Sequence, residues 1–270
     1  MQVLLEIFRP EGFGSAEEVA RFTRETRAKG QLESEHVRRI SDVGIWSPGS
    51  PYIAREFLEG RDLATWLQYR GALPQSQAVD FVIQACDALA EGHSLGVVHR
   101  DIKTANLFAI ERPGIGASIR VLGWGISQTS GRFSTTPEPA TLGTTEAGTI
   151  VGTPLYMPPE QWRGVLDLDG RADIWAIGVT LYELVTGRAQ FKGGSLIQIY
   201  SAIMAGQPQL RERFPQLQGL EAVILKCLQT EREKRYQTVA ELALRLVEFG
   251  SKQCKQLVDR ICSMPQPLSS

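Results

Sequence analysis

Between His99 and Asn106 the chain sets an imidazole, a guanidinium, a carboxylate, an ammonium and a carboxamide close together, in His99-Arg100-Asp101-Ile102-Lys103-Thr104-Ala105-Asn106. Its other reactive side chains are thinly spread. The three histidines (His36, His93, His99) have no ligand-like spacing, which argues against a dedicated transition-metal centre. The four cysteines (Cys86, Cys227, Cys254, Cys262) suit neither a zinc site nor a redox pair, and three of them fall in apolar helical patterns, so they read as reduced thiols. Any metal chemistry must be carried by oxygen ligands.

Such a run needs rigid elements to hold it. Val79, Val82, Ile83, Cys86, Leu89, Ala90 and His93 mark one face of a long helix just before it. Ile174 to Val185 is apolar nearly all round, which predicts a helix buried at the centre of a lobe, and Leu220 to Leu228 and Val239 to Phe249 predict two more amphipathic helices. Before Gly60 the pattern differs. Val3 to Phe8 and Tyr52 to Phe57 are strand-length apolar runs, and between them Ser15 and Glu18 form a capping box opening a helix to about Gln31. A small β-containing lobe followed by a larger helical lobe is expected, α+β in class. Residues 127 to 153 are irregular and rich in Ser, Thr, Gly and Pro, and loops of that length are usually functional or disordered.

Composition narrows the classes. The 270 residues carry 29 Lys+Arg against 30 Asp+Glu, a net charge of −1, and 43% are apolar, which is ordinary for a globular protein. Without a basic excess, general binding to nucleic acid or to an anionic membrane is disfavoured. The longest apolar stretch, Ala172 to Gly187, contains Asp173 and Glu183 and is too short for a membrane span. The run Met1 to Pro10 contains Glu6 and has no basic lead-in, so it does not read as a secretion signal, and a cytoplasmic location is expected.

The segment His99 to Asn106 resembles the catalytic loop of protein kinases, specifically the bacterial Ser/Thr kinases of eukaryotic type. The resemblance implies that Asp101 accepts the proton of the attacking hydroxyl, Lys103 neutralises the transferred phosphoryl group and Asn106 holds Mg²⁺, with His99 a structural core histidine. Further segments extend it. Gly152-Thr153-Pro154-Leu155-Tyr156-Met157-Pro158-Pro159-Glu160-Gln161 is similar to the end of a kinase activation segment, and Asp173-Ile174-Trp175-Ala176-Ile177-Gly178 to the central buried helix whose aspartate caps the catalytic-loop backbone. Arg235 sits where the family places the arginine that pairs with Glu160. The implied architecture is a bilobal protein-kinase-like fold: a truncated small lobe over 1–59, a mainly helical lobe over 60–250 and a C-terminal extension over 251–270.

Alignment with the same family also brings out departures. Val3-Leu4-Leu5-Glu6 resembles the strand that normally reads Val-Ala-x-Lys, so Glu6 stands where the phosphate-binding lysine is expected and Leu4 where a small residue caps the adenine. Glu25 occupies the position of that lysine's glutamate partner, and two facing carboxylates would repel the phosphates. Gly123-Trp124-Gly125 replaces Asp-Phe-Gly, removing the main Mg²⁺ anchor. The chain begins at the lysine strand, so the Gly-rich loop is expected to be missing unless Met1 is an internal codon; Gly12 to Val19 reads as a linker turn and helix cap. Arg55 falls at the gatekeeper position, where it either reaches Glu6 or Glu25 as a charge-swapped pair or extends into solvent. Lys29 is either a solvated helix charge or a neutralising partner for Glu6. Trp124 is expected to pack beneath the helix that carries Glu25. Thr144, Thr145 and Thr149 lie where activating phosphorylation would occur, with Arg100 as the phosphate binder, or are simply solvated.

The reading that follows is a degenerate kinase, a pseudokinase with regulatory or scaffolding work, no high-affinity cofactor and little phosphotransfer. The alternative is an active Ser/Thr kinase using ATP and Mg²⁺ at an atypical site, favoured by Asp101, Lys103, Asn106 and Thr153. The expected partner is a protein, either a kinase or a kinase substrate, with no nucleic acid and no membrane span. A homodimer through the open edge of the small lobe is a further expectation.

Overall fold

The computed structural model describes residues 2–47, 49–112, 116–124, 153–165, 167–206, 217 and 219–265. The small lobe is a three-stranded antiparallel sheet in which β3 (Ser50–Glu56) lies between β1 (Val3–Ile7) and β2 (Ile40–Ser47). Helix α1 (Ala16–Lys29) packs on it, and Val19 and Phe22 join Phe13, Val43 and Ile53 in a small separate core. The helix starts where the capping residues put it. Ser15 Oγ accepts the Glu18 N–H at 3.2 Å, and the Glu18 carboxylate accepts the Gly14 N–H at 2.6 Å, so Gly12 to Val19 is a turn and cap, as expected.

The large lobe is mainly helical: α2 (Leu63–Arg70), α3 (Gln75–Ser94), the short α4 (Pro159–Trp162), α5 (Gly170–Thr186), α6 (Leu196–Met204), α7 (Leu220–Cys227), α8 (Val239–Leu246) and α9 (Cys254–Ser263). The all-round apolar α5 is buried along almost its whole length and packs against α3 and α7. Gly187, at φ 65°, ends it in the left-handed conformation that glycine adopts without steric cost. Helix α9 lies on α3 and α8, with Cys254, Val258 and Ile261 in the main core.

The lobe is mainly helical, as expected, but it also carries strands that the sequence reading did not foresee. A second antiparallel sheet joins β4 (Arg61–Asp62), β5 (Leu107–Arg112) and β6 (Gly116–Val121), with β5 starting directly after the His99 to Asn106 run. These strands, and β2, escaped sequence reading because short strands gain their stability from partners distant in sequence rather than from local periodicity. Among the described residues no helix is long and apolar enough to cross a membrane.

Candidate active site

The catalytic-loop residues are positioned by one buried carboxylate. Asp173, in the first turn of α5, is fully buried and accepts three hydrogen bonds: from the His99 N–H at 2.9 Å, the Arg100 N–H at 2.7 Å and His93 Nε2 at 2.8 Å. Burial pushes its pKa up, but the hydrogen bonds from His93 and from the loop backbone outweigh that and hold it below the ordinary aspartate value. The loop backbone is thereby fixed with Arg100 at φ 66°, the one non-glycine residue at positive φ among those described. His99 is also buried, which lowers its pKa and keeps it neutral. Its Nε2 donates to the Leu122 carbonyl at 2.8 Å and its Nδ1 accepts the Asp101 N–H at 3.2 Å, the one-donor, one-acceptor pattern of a neutral imidazole.

Asp101, Lys103 and Asn106 converge. Lys103 Nζ lies 3.0 and 2.9 Å from the two Asp101 carboxylate oxygens, and Asn106 Nδ2 donates to Oδ2 at 2.8 Å and to the Asp101 carbonyl at 2.6 Å. Three residues given no role from the sequence, Thr104, Tyr156 and Glu183, anchor the other side of the loop. Thr104 Oγ1 donates to Glu183 at 3.2 Å and lies 3.1 Å from the Tyr156 hydroxyl, which itself donates to Glu183. Burial raises the Glu183 pKa, opposed by the hydrogen bonds from Tyr156 and Thr104. The signal was present: Glu183 is a charge inside an apolar helical run. Farther down, Arg235 and Glu160 form a bidentate pair at 2.7 and 2.7 Å, both residues buried.

On the small-lobe side Arg55 is buried, with Nε 3.2 Å from Glu6 Oε2 and Nη1 donating to the Trp124 carbonyl at 3.2 Å. Glu6 faces Ile53 across the β1–β3 ladder and Leu4 faces Arg55, so the pair is a diagonal cross-strand contact on one sheet face. Of the two carboxylates weighed from sequence, Arg55 therefore meets Glu6. Glu25 acts instead on Lys29, one turn along α1. Lys29 is neither a solvated charge nor the partner of Glu6: it is partly buried, and burial lowers its pKa, opposed by Glu25 and reinforced by the positive charges of Arg100 and Arg55. Leu4 remains 40% exposed.

Gly123 sits at φ 87°, and a Cβ there would lie 3.4 Å from Asn106 Nδ2 and 3.5 Å from His99, ordinary contact distances. The position offers no carboxylate, and at that φ any side chain with a Cβ would be strained whatever the space around it. Trp124 is 2% exposed, and its placement differs from expectation. The ring stands edge-on to His99 at 4.7 Å and lies against Gly92 of α3, within the large-lobe core.

Few side-chain oxygens are placed here to hold a Mg²⁺ ion. The Asp101 carboxylate is engaged by Lys103 and Asn106, Asn106 adds one amide oxygen, and Gly123 adds no side-chain oxygen, whereas Mg²⁺ is held by carboxylates in near-octahedral oxygen geometry. Thr144, Thr145 and Thr149 lie outside the described residues, and Thr153 opens a short turn over Thr153–Tyr156.

Two lobes, a loop capped by a buried aspartate and a glutamate–arginine pair behind it define a protein-kinase fold, and comparison with known proteins agrees. The protein kinase domain model matches residues 8–267, and the chain belongs to that family. Serine/threonine-protein kinase Pkn1 of Myxococcus xanthus is 37% identical over 82% of this chain and 31% of its own length. Pkn3 of the same organism is 35% identical over 76% of this chain and 37% of its own length. PknB of Mycobacterium leprae is 30% identical over 86% and 36%. The chain thus spans about a third of the length of these relatives. Among solved structures, the kinase domain of PknI from Mycobacterium tuberculosis superposes with a TM-score of 0.68 at 24% identity, covering 91% of this chain and 85% of that one.

Proposed function

We propose that this chain is a kinase-family regulatory or scaffolding domain, a pseudokinase with impaired Mg-ATP binding and little or no phosphotransfer. The observation that carries the reading is the Arg55–Glu6 pair. It occupies the positions from which the family resemblance expects an apolar gatekeeper and a phosphate-binding lysine, and it puts a carboxylate where phosphate oxygens would be met. The glycine at position 123 supports it by withholding a metal ligand. Binding work then falls to the large lobe, whose α6 presents Ile197 at 77% exposure, and the fitting occupant is a protein: a partner kinase or its substrate.

A second reading, an active Ser/Thr kinase, is favoured by the convergence of Asp101, Lys103 and Asn106 and by the relatives, each of which is called a serine/threonine kinase. Taken alone, the relatives support this second reading better than the first. Radiolabelled ATP with Mg²⁺ or Mn²⁺ and a basic protein substrate separates the two, with Asp101→Asn as the control. The pseudokinase reading expects no label above that control and no ATP-induced rise in Tm, and label well above it establishes the enzyme. In the triple change Glu6→Lys, Arg55→Met, Gly123→Asp, nucleotide-induced stabilisation should appear, because a phosphate-binding lysine and a metal carboxylate are restored to the positions where the family resemblance expects them.

A further inference from the structure

The connection between α1 and β2 is fastened to the large lobe by two carboxylates of α3. Glu91 accepts the backbone N–H groups of Glu33 and Ser34, each at 2.7 Å, and Asp87, one turn earlier, accepts the Ser34 hydroxyl at 2.6 Å. Asp87 is fully buried, where a carboxylate without compensation is unfavourable. Among the described residues its other oxygen makes no hydrogen bond, and it faces α9, where Arg260 Nε lies 3.4 Å away. Among the described residues Arg260 is the cation in ion-pair range of Asp87.

Bonding continues from Ser34 toward the active-site tripeptide. Ser34 Oγ accepts the His36 N–H at 3.0 Å, and His36 Nδ1 lies 3.0 Å from the Ile119 carbonyl. The His36 carbonyl accepts the Val121 N–H at 2.7 Å, and the Val121 carbonyl accepts the Arg38 N–H at 3.2 Å. Val121 ends β6, two residues before Gly123. A helix near the C-terminal end of the chain is thus joined, through one buried carboxylate and one hydroxyl, to the segment that carries α1 into the sheet and to the strand leading into the cleft.

We propose that Arg260 is a positioning residue: through Asp87 and Ser34, helix α9 sets the placement of the α1–β2 connection and of β6. The coupling is local and electrostatic, distinct from the apolar packing of Cys254, Val258 and Ile261 that holds α9 on the lobe. It stands whether or not the domain transfers phosphate.

Hydrogen exchange on the 270-residue chain tests it. Arg260→Ala should speed exchange of the Ser34, His36 and Val121 amides about tenfold, because Asp87 must then recruit water or shift to be solvated. Arg260→Lys should restore slow exchange. Val258→Ala, which loosens the apolar contact alone, should speed exchange in α9 and leave the three amides unchanged. In an Asp87→Asn background Arg260→Ala should add nothing, since the charge it compensates is gone. Unchanged amides in Arg260→Ala, an equal response in Val258→Ala, or additive effects in the double change would each overturn the proposal. Arg260→Gln serves the same comparison if the alanine variant does not fold.

Discussion

Two buried arginines, each paired with a glutamate, lie one in the small-lobe sheet and one within the large lobe, and they differ in how fully they are satisfied. Arg235 makes five donor bonds: two to Glu160 and one each to the carbonyls of Gln229, Arg171 and Thr230. That equals the full donor set of a guanidinium. Arg55 makes two, to Glu6 and to the Trp124 carbonyl, and its Nη2 has no partner among the described residues. Glu160 is buried with its arginine, whereas the Glu6 side chain is 28% exposed. The difference separates an ion pair that holds the fold from one that fills a cleft. The first is surrounded by acceptors in a fixed backbone; the second joins a sheet to a tripeptide from the other lobe and leaves donor capacity unused.

The comparison can be broken most sharply at Arg235. Replacing it with alanine strands a buried carboxylate and should destabilise the chain by about 3 to 5 kcal/mol in urea unfolding. A loss below about 1 kcal/mol would remove the distinction.

A somewhat smaller effect, about 2 to 3 kcal/mol, is expected for Asp173→Asn, which weakens the charge-assisted bonds to the His99 and Arg100 backbone. It carries a pH signature. A carboxylate whose folded pKa is depressed contributes stability that is complete above its unfolded pKa of about 3.9 and is lost as pH falls through the lower folded value. The native chain should therefore destabilise more steeply with acid below about pH 4 than Asp173→Asn does, as read by Tm across that range.

Lys29 tests the cleft side in the opposite direction. Its lowered pKa reflects an ammonium that burial disfavours, so at neutral pH the folded state carries a penalty that vanishes only above the unfolded lysine pKa. Lys29→Met should raise Tm at pH 7 by about 2 to 4 °C, the shift that ~1 kcal/mol produces in a domain of this size. A fall in Tm would mean that the charge is satisfied.

The smallest change is expected for Arg55→Met. It removes an incompletely satisfied guanidinium and leaves a Glu6 that water can reach, so stability should move by under about 1 kcal/mol. If Arg55→Met costs as much as Arg235→Ala, the cleft pair is structural after all, and its use as an argument about nucleotide fails.

Much of the site could be read along the chain because its parts are close in sequence. Asp101, Lys103 and Asn106 lie within one short loop, so their spacing brings them together once any loop forms there, and the cap Ser15–Glu18 works through neighbouring backbone N–H groups. The long apolar patterns of α3 and α5 are equally local, since helical periodicity is written in steps of three and four residues. Resemblance added Glu160 and Arg235, which are distant in sequence.

Tertiary structure decided the rest. Whether Arg55 meets Glu6 or Glu25 depends on the register of β1 against β3, which no local pattern specifies. Lys29 is polar by sequence and partly buried by position, Trp124 packs toward α3 rather than α1, and the β4–β5–β6 sheet and the Arg260–Asp87–Ser34 junction join segments from separate parts of the chain. Local hydrogen bonding and periodicity are encoded over a few residues; strand register and burial are collective properties of segments that meet only after the chain has folded.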